Sequence, residues 1–425
     1  MNGKFIEVHS IKNYKKGEIS VDKSTYNKKT KTIVLTLLFL TWVVNYLDKN
    51  SMSVAIISIS KEFHLNPTQG GMVISAFFLA YAIMQLIGGW LTDKYGSKKI
   101  ILISLLIWSI FTIFTGFAWS FVSLIIIRFL FGIGEGSFPT ASSVALAENF
   151  PKEERGRAKG FLSASTQIGS LISVLLAAVL IQSIGWNKMF FLFGALGFVF
   201  LFLLWKYLPD RVQQTGPKKQ QVSYLQVLKT PAAWMLMLIY FGMSMVNWGL
   251  NSWLPSYWVN VRGLELVKTG FISMLPMMCS ILAIAISSWL VDKIKPGKEK
   301  YIIITGAIIG IIALYLTMNA TTVALALTFL CFAYFGLGLL SVVLALPLKY
   351  FPQNTMGSTV GIMYFGGQMA GTIAPTVIGY TITIFNGSYN AAFILLMGSL
   401  GISIIASILI KLKSNEQPDT GSEAA

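Results

Sequence analysis

The sequence predicts an all-α polytopic membrane protein of twelve spanning helices arranged as two six-helix halves. Three observations carry that prediction: composition, the number of apolar windows and an internal repeat. Of 425 residues, 55% are hydrophobic and only 12% charged, whereas a soluble chain carries about a quarter charged residues. Much of its surface must therefore face something other than water. A spanning helix needs about 20 apolar residues. Windows that meet this run over 33–60, 70–92, 100–118, 121–147, 160–181, 189–207, 232–258, 270–291, 301–318, 322–347, 360–383 and 391–410. Barrel strands would be shorter and alternating, so an outer-membrane barrel is excluded, and so is a soluble enzyme.

The net charge of +16 is explained by location. The even-numbered loops and the two termini, counting Lys206 in the last turn of the sixth window, hold 27 of the 33 Lys and Arg. The odd-numbered loops hold Lys61, Lys188, Arg262 and Lys268. Positive residues stay cytoplasmic during insertion, so both termini are expected inside a bacterial-type plasma membrane. The basic balance reads as topology, and nucleic acid is not an expected partner. The partners expected are the lipid bilayer and a small substrate, for a chain acting as a monomer. Cys279 and Cys331 fall in apolar windows, where free cysteine behaves as a small hydrophobe. His64 lies in an external loop. With His9 and His64 the sole histidines and no His-Glu-x-x-His, an intramembrane enzyme has no nucleophile–base pair or metal set. No cofactor or metal is expected.

The domain reading is a cytoplasmic tail 1–31, a first bundle 32–208, a linker 209–231, a second bundle 232–412 and a tail 413–425. The halves repeat at an offset of about 200 residues. Trp90-Leu-Thr-Asp93-Lys94 returns as Trp289-Leu-Val-Asp292-Lys293. Phe150-Pro151, Gly156, Gly160 and Gln167 return as Phe351-Pro352, Gly357, Gly361 and Gln368, and Asn45-Tyr46 returns more weakly as Asn247-Trp248. Six helices per half preserve orientation, so the repeats are parallel, as in transporters whose halves rock about a site near the midplane.

The loop after the second window reads Gly89-Trp-Leu-Thr-Asp93-Lys94-Tyr-Gly96-Ser-Lys-Lys. This resembles the cytoplasmic signature of the major facilitator superfamily and implies the major facilitator fold. Gly89 is expected to allow close helix packing. Asp93 and Lys94, turning at Gly96, are expected to form a cytoplasmic charge latch that opens when the halves separate.

Apart from Lys206 at the edge of the sixth window, four charged residues fall inside the windows: Asp48, Lys49, Arg128 and Glu135. Each costs at least about 2.5–3.5 kcal/mol at a helix centre and so points to function. Arg128 and Glu135, seven apart, are read as sharing one helix face. The glycines at 132, 134 and 136 open that face to a second helix or a ligand. An alternative is purely structural neutralisation, Asp48 with Arg128 and Lys49 with Glu135. In the second half the equivalent positions fall near Phe329 and Leu339, both apolar, so the charges are not duplicated. That asymmetry favours a functional role in the first half.

Asn45-Tyr46-Leu-Asp48-Lys49, Ser75-Ala-Phe-Phe-Leu-Ala-Tyr81, Arg128 with Glu135, and Trp253-Leu-Pro-Ser-Tyr257 resemble the anion:cation symporter family. It includes bacterial galactonate, glucarate and hexuronate transporters, vesicular glutamate transporters and sialin. The resemblance implies that Asp48 and Glu135 carry protons, the proton being the coupling ion. It implies that Arg128 is their charge partner and that Tyr46, Tyr81 and Gln167 face substrate. The family commonly has arginine where this chain has Lys49, which keeps the charge but loses the bidentate fork.

Charge arithmetic points the same way. Two acids and two bases make a neutral site, and an incoming carboxylate raises the affinity of either acid for a proton. Anion and proton then favour each other reciprocally. Asn247, Asn251, Tyr364 and Gln368 offer amide and phenol groups suited to hydroxyls. The same groups also suit hydrogen bonds between helices. Trp248 and Trp253 read as packing residues. The function expected is proton-coupled import of a small organic anion, preferably a sugar acid: a hexuronate, aldonate or aldarate. A dicarboxylate and sodium coupling stay open. The runner-up is an organophosphate:phosphate antiporter of the same fold, which would call for a pair of arginines.

Overall fold

Each helix begins and ends where its sequence dictates. In the computed structural model, which describes residues 28–210 and 229–410, α1 (Lys28–Glu62) is followed by α2 (Pro67–Tyr95). Asn66 caps α2 by accepting from the Gln69 amide while the Gln69 side chain accepts from the Asn66 amide, and Pro67 fills the first turn. That reciprocal box satisfies two of the helix's orphan donors. Gly96, at φ 87°, ends α2 and starts α3 (Ser97–Gly116), so the chain reverses in one residue. A left-handed backbone at such a turn favours glycine. Ser120 and Ser123 form a second box at the start of α4 (Phe121–Gly136).

The remaining helices are α5 (Phe138–Asn149), α6 (Lys152–Ile184), α7 (Trp186–Tyr207), α8 (Pro231–Asn260), α9 (Leu266–Lys293), α10 (Glu299–Met318), α11 (Val323–Leu340), α12 (Leu346–Tyr350), α13 (Gln353–Ile384) and α14 (Asn390–Leu409). Among the described residues, eleven spans are long and apolar enough to cross a membrane, with α4–α5 and α11–α12 each forming a single span. The twelfth is α13, 32 residues long, whose glycines, threonines and Pro375 dilute its apolar character.

Two windows read as continuous helices are broken. The fourth breaks at Ser137, ahead of Pro139, and the tenth passes through a 3₁₀ turn at Ser341–Leu344 before α12. Proline has no amide hydrogen and is accommodated best in the first turn of a new helix. The matching breaks are themselves part of the repeat.

Each half has its own apolar core, spanning residues 34–208 in the first and 236–410 in the second. The halves meet through α2 against α13, α9 against α6, and α1 against α8. Those contacts are concentrated at one end. A Cβ on Gly71 would lie 2.2 Å from the Pro375 carbonyl oxygen, and one on Gly379 would lie 2.2 Å from that of Pro67. The Thr68 hydroxyl donates to Thr383 Oγ1 at 2.9 Å, and that of Thr376 donates to Ser75 Oγ at 2.8 Å. At the opposite end, which carries the 93–98 loop, Gly156, Gly160, Gly357 and Gly361 meet nothing within 4 Å. The molecule is closed at one end and parted at the other.

The tails and linker expected from composition fall mostly outside the described residues.

Candidate functional site

α1 presents consecutive residues to two different environments, as a helix must, since neighbours sit about 100° apart on its circumference. Lys49 points toward α2 and α4. Its Nζ lies 2.7 Å from Glu135 Oε1, with side-chain exposures of 5% and 0%. Three rings surround the ammonium: Tyr81 at 4.5 Å, Tyr46 at 5.0 Å and Phe77 at 5.2 Å from Nζ to centroid. Aromatic faces attract a cation, more so when it is desolvated. Asn45 also lies against the Glu135 carboxyl. The narrow Gly134-Glu135-Gly136 stretch makes this possible. A Cβ on Gly136 would lie 2.8 Å from the Tyr81 carbonyl oxygen, and one on Gly134 would lie 2.7 Å from the Trp108 amide nitrogen.

Asp48 points the other way, into the first bundle. Its Oδ2 accepts from Trp108 Nε1 at 2.6 Å and from the Thr112 hydroxyl, both on α3. Arg128 is also fully buried. It donates to Thr115 Oγ1 at 3.3 Å and stacks over Phe131 and Phe190 at 4.8 and 5.0 Å. The structural pairing considered for the four charges is therefore half realised. Lys49 and Glu135 form an ion pair, whereas Asp48 takes neutral donors and makes no ion pair with Arg128 within 4 Å. The single face read for Arg128 and Glu135 is also divided, because Arg128 engages α3 and α7 while Glu135 engages α1.

The second half repeats this geometry without charge. Gly336 packs on α10 and Gly338 on α9 as Gly134 and Gly136 pack on α3 and α2. This register places Leu330 and Leu337 opposite Arg128 and Glu135, correcting the expected Phe329 and Leu339 by one and two residues. Both remain apolar. The counterpart of Lys49 is Asn251, whose Oδ1 accepts from the Tyr334 hydroxyl at 3.1 Å and whose Nδ2 donates to Asn247 at 3.2 Å. An ion pair linking α1 and α4 is replaced by a neutral hydrogen bond linking α8 and α11.

Two tyrosines of the second half, Tyr240 and Tyr364, form a T-shaped pair with centroids 5.5 Å apart. Both lie within electrostatic reach of Tyr46, and Tyr240 also of Tyr81. Four tyrosines from the two halves thus gather beside the Lys49–Glu135 pair. Tyr364 is 38% exposed, on the side where the halves part. Gln368 lies one turn further along α13, with its Oε1 buried and lacking a hydrogen bond. Gln167 is exposed on α6, two residues before Gly169, which lets Tyr46 approach. Trp248 stacks on Phe78 across the halves at 4.6 Å, and Trp253 donates to the Pro375 carbonyl at 2.9 Å.

Sequence reasoning missed Trp108, Thr112, Phe77, Tyr334 and Tyr240. The first four look like ordinary core residues until the fold aims them. Tyr240 carried a legible signal, since a phenol in an apolar window needs a partner.

At the parted end, the glycine close to another helix is Gly88, whose Cβ would meet Ser137 at 3.0 Å, rather than Gly89, which meets only Thr140 at 4.0 Å. Asp93 is exposed. Lys94 Nζ stands 4.8 Å from the Trp90 ring, and Lys293 Nζ stands 4.0 Å from that of Trp289, so the repeated motif yields a repeated stack. Beyond it, Lys349 and Tyr350 bind Glu299 at 2.5 and 2.8 Å.

No group of three or more His, Cys, Asp or Glu able to hold a metal occurs among the described residues. Two parallel six-helix halves, parted at one end, with a buried charge pair where they meet, define a membrane transporter and not an enzyme. Residues 38–375 match the Major Facilitator Superfamily, and the chain belongs to that superfamily. A probable sulfoacetate transporter of Cupriavidus necator is 32% identical over 420 residues, covering 92% of this chain and 96% of its own length. A probable galactarate/D-glucarate transporter of Escherichia coli K12 is 29% identical, covering 88% and 91% respectively. The hexuronate transporter of Bacillus subtilis is 27% identical, covering 90% and 94%. The fold matches the crystal structure of a bacterial homolog of the human lysosomal transporter Spinster, inward-facing and occupied. That match has a TM-score of 0.77 at 19% identity and covers 90% of this chain and 96% of that one.

Proposed function

We propose that this chain imports a small organic anion together with protons, by alternating access, across a bacterial plasma membrane with both termini inside. The observation that carries the reading is the Lys49–Glu135 pair, held at 2.7 Å among Tyr46, Phe77 and Tyr81 beside the junction of the halves. While Glu135 is ionised it occupies the cation an anionic substrate would need. A proton on Glu135 frees Lys49, and a substrate carboxylate or sulfonate takes the vacated place. One proton and one monoanion leave the site's net charge unchanged, so each favours the other's binding. If Asp48 takes a second proton, uptake becomes electrogenic and voltage-driven. Arg128 and the Trp108 and Thr112 donors then set how readily Asp48 does so.

A sugar acid is the preferred substrate. Tyr240, Tyr364, Gln368, Asn247 and Asn251 would supply hydroxyl-matched groups from the second half, and relatives are named as galactarate/glucarate and hexuronate transporters. A small sulfonate is the second reading, favoured by the sulfoacetate relative. Phosphate exchange is disfavoured because Lys49's counterpart is Asn251, an uncharged amide.

The test uses purified protein in sodium-free liposomes loaded with a pH dye. External glucuronate, galactonate, glucarate, sulfoacetate or glycerol phosphate is then added. Internal acidification with a sugar acid or sulfoacetate is the expected result. Exchange of glycerol phosphate for preloaded phosphate, with no acidification by any anion, would overturn the reading.

A further inference from the structure

A cavity of about 270 Å³ lies at the closed end, built jointly by the two halves. The first half contributes Ser60 and Lys61 from the end of α1, and the second contributes Trp253, Ser256 and Asn260 from α8 together with Tyr389. It adjoins the closure itself, since Pro67 lines it and also meets Gly379 at close range. The chemistry of its lining is specific. Lys61, exposed at the end of α1, is its one charged residue, and among the described residues its ammonium has no ion-pair partner. The neighbouring Glu62 carboxylate is engaged by Trp186 Nε1 at 2.7 Å. The hydroxyls of Ser60 and Ser256 make no hydrogen bond among the described residues. An exposed, unpaired cation and free hydroxyls beside a mostly apolar hollow suit a small organic anion with an apolar portion, and the volume is below that of pockets for drug-sized ligands.

We propose that this cavity binds a small organic anion and thereby holds that end closed. The ligand's chemical class rests on the organic-anion reading above. The role of the site does not depend on proton coupling. Lys61 belongs to one half, and Ser256, Asn260 and Tyr389 to the other, so the full set of contacts exists only while the two halves converge here. A ligand that needs both halves has higher affinity for the closed arrangement and shifts the population toward it. Anion arriving from this side at concentrations above those that saturate transport then slows its own uptake.

The test reads closure directly. Thr68→Cys/Thr383→Cys, made in a Cys279→Ser/Cys331→Ser chain, places two thiols where hydroxyl oxygens stand 2.9 Å apart. The rate of oxidative cross-linking reports how often this end is shut. Glucuronate and sulfoacetate are the probes. The expected result is severalfold faster cross-linking with either anion, retained when the central pair is neutralised as Lys49→Gln/Glu135→Gln and lost in Lys61→Gln. Unchanged cross-linking, or acceleration that survives Lys61→Gln, overturns the proposal. So does acceleration that disappears with the central pair while Lys61 is intact, a result that would instead place the effect at the central site. Failure of every anion to acidify liposomes would sink the symport reading, yet leave a Lys61-dependent acceleration standing.

Discussion

Lys49 and Glu135 are each tolerable in the membrane because of the other. Removing one partner of a buried pair leaves an uncompensated charge and typically costs about 3–5 kcal/mol, whereas replacing both with neutral groups of similar volume is often close to neutral. Lys49→Gln alone is therefore expected to lower the melting temperature in detergent strongly, and Lys49→Gln/Glu135→Gln to recover most of that loss. Functionally, Glu135→Gln mimics the protonated acid. Liposomes carrying it are expected to exchange substrate across the membrane without acidification. Full proton-driven accumulation by this variant would remove Glu135 from the coupling role. Asp48 depends on different neighbours. Trp108→Phe keeps the ring but removes the donor 2.6 Å from Asp48 Oδ2. Hydrogen bonds to charged groups contribute about 1.5–3 kcal/mol, so a loss of that order is expected in thermal unfolding.

Packing between helices is set by where glycines fall. A Cβ at Gly132 would stand 2.4 Å from the Phe77 carbonyl oxygen, with the Ala80 methyl at 2.9 Å. Overfilling of that kind costs about 1–3 kcal/mol, so Gly132→Ala should destabilise the first bundle by that amount. Gly361, mid-helix in α13, meets nothing within 4 Å. Alanine there has higher helix propensity, so Gly361→Ala should be neutral or stabilising by up to about 1 kcal/mol. Equal melting temperatures for the two variants would contradict the packing described. The glycines also carry the repeat. Gly134 and Gly136 in α4 answer to Gly336 and Gly338 in α11, and between them sits glutamate in one half and leucine in the other.

Across the whole molecule, the halves touch closely at one end and part at the other. Cross-linking Thr68→Cys to Thr383→Cys, in a chain lacking Cys279 and Cys331, should pin the closed end. Uptake into liposomes is expected to stop on oxidation and return on reduction. Undiminished uptake by the cross-linked protein would mean that this end need not open. In the proposed orientation, with the positive loops inside, the parted end faces the cytoplasm and the closed end faces outward.

The apolar windows, the pseudo-repeat and the four buried charges were all legible in the chain, because hydrocarbon imposes length and composition on every span and penalises each stray charge. Most windows lie within about five residues of the helix ends, 70–92 against Pro67–Tyr95 for example, whereas 160–181 and 360–383 miss the polar first two turns of Lys152–Ile184 and Gln353–Ile384. The breaks at Ser137 and Ser341 were missed, since an apolar run reads the same whether straight or bent. Sequence also could not say that Lys49 would take Glu135 while Asp48 turned to Trp108 and Thr112. Neighbours on a helix diverge by about 100°, so which wall each faces is decided by how α1 is rotated among α2, α3 and α4. Likewise, Tyr240, Tyr46, Tyr81 and Tyr364, spread over more than 300 residues of chain, come together only when two separately cored halves are set side by side. The sequence determined the class of protein and its charged residues. Tertiary structure decided their partners, because pairing depends on distances between helices that no local pattern encodes.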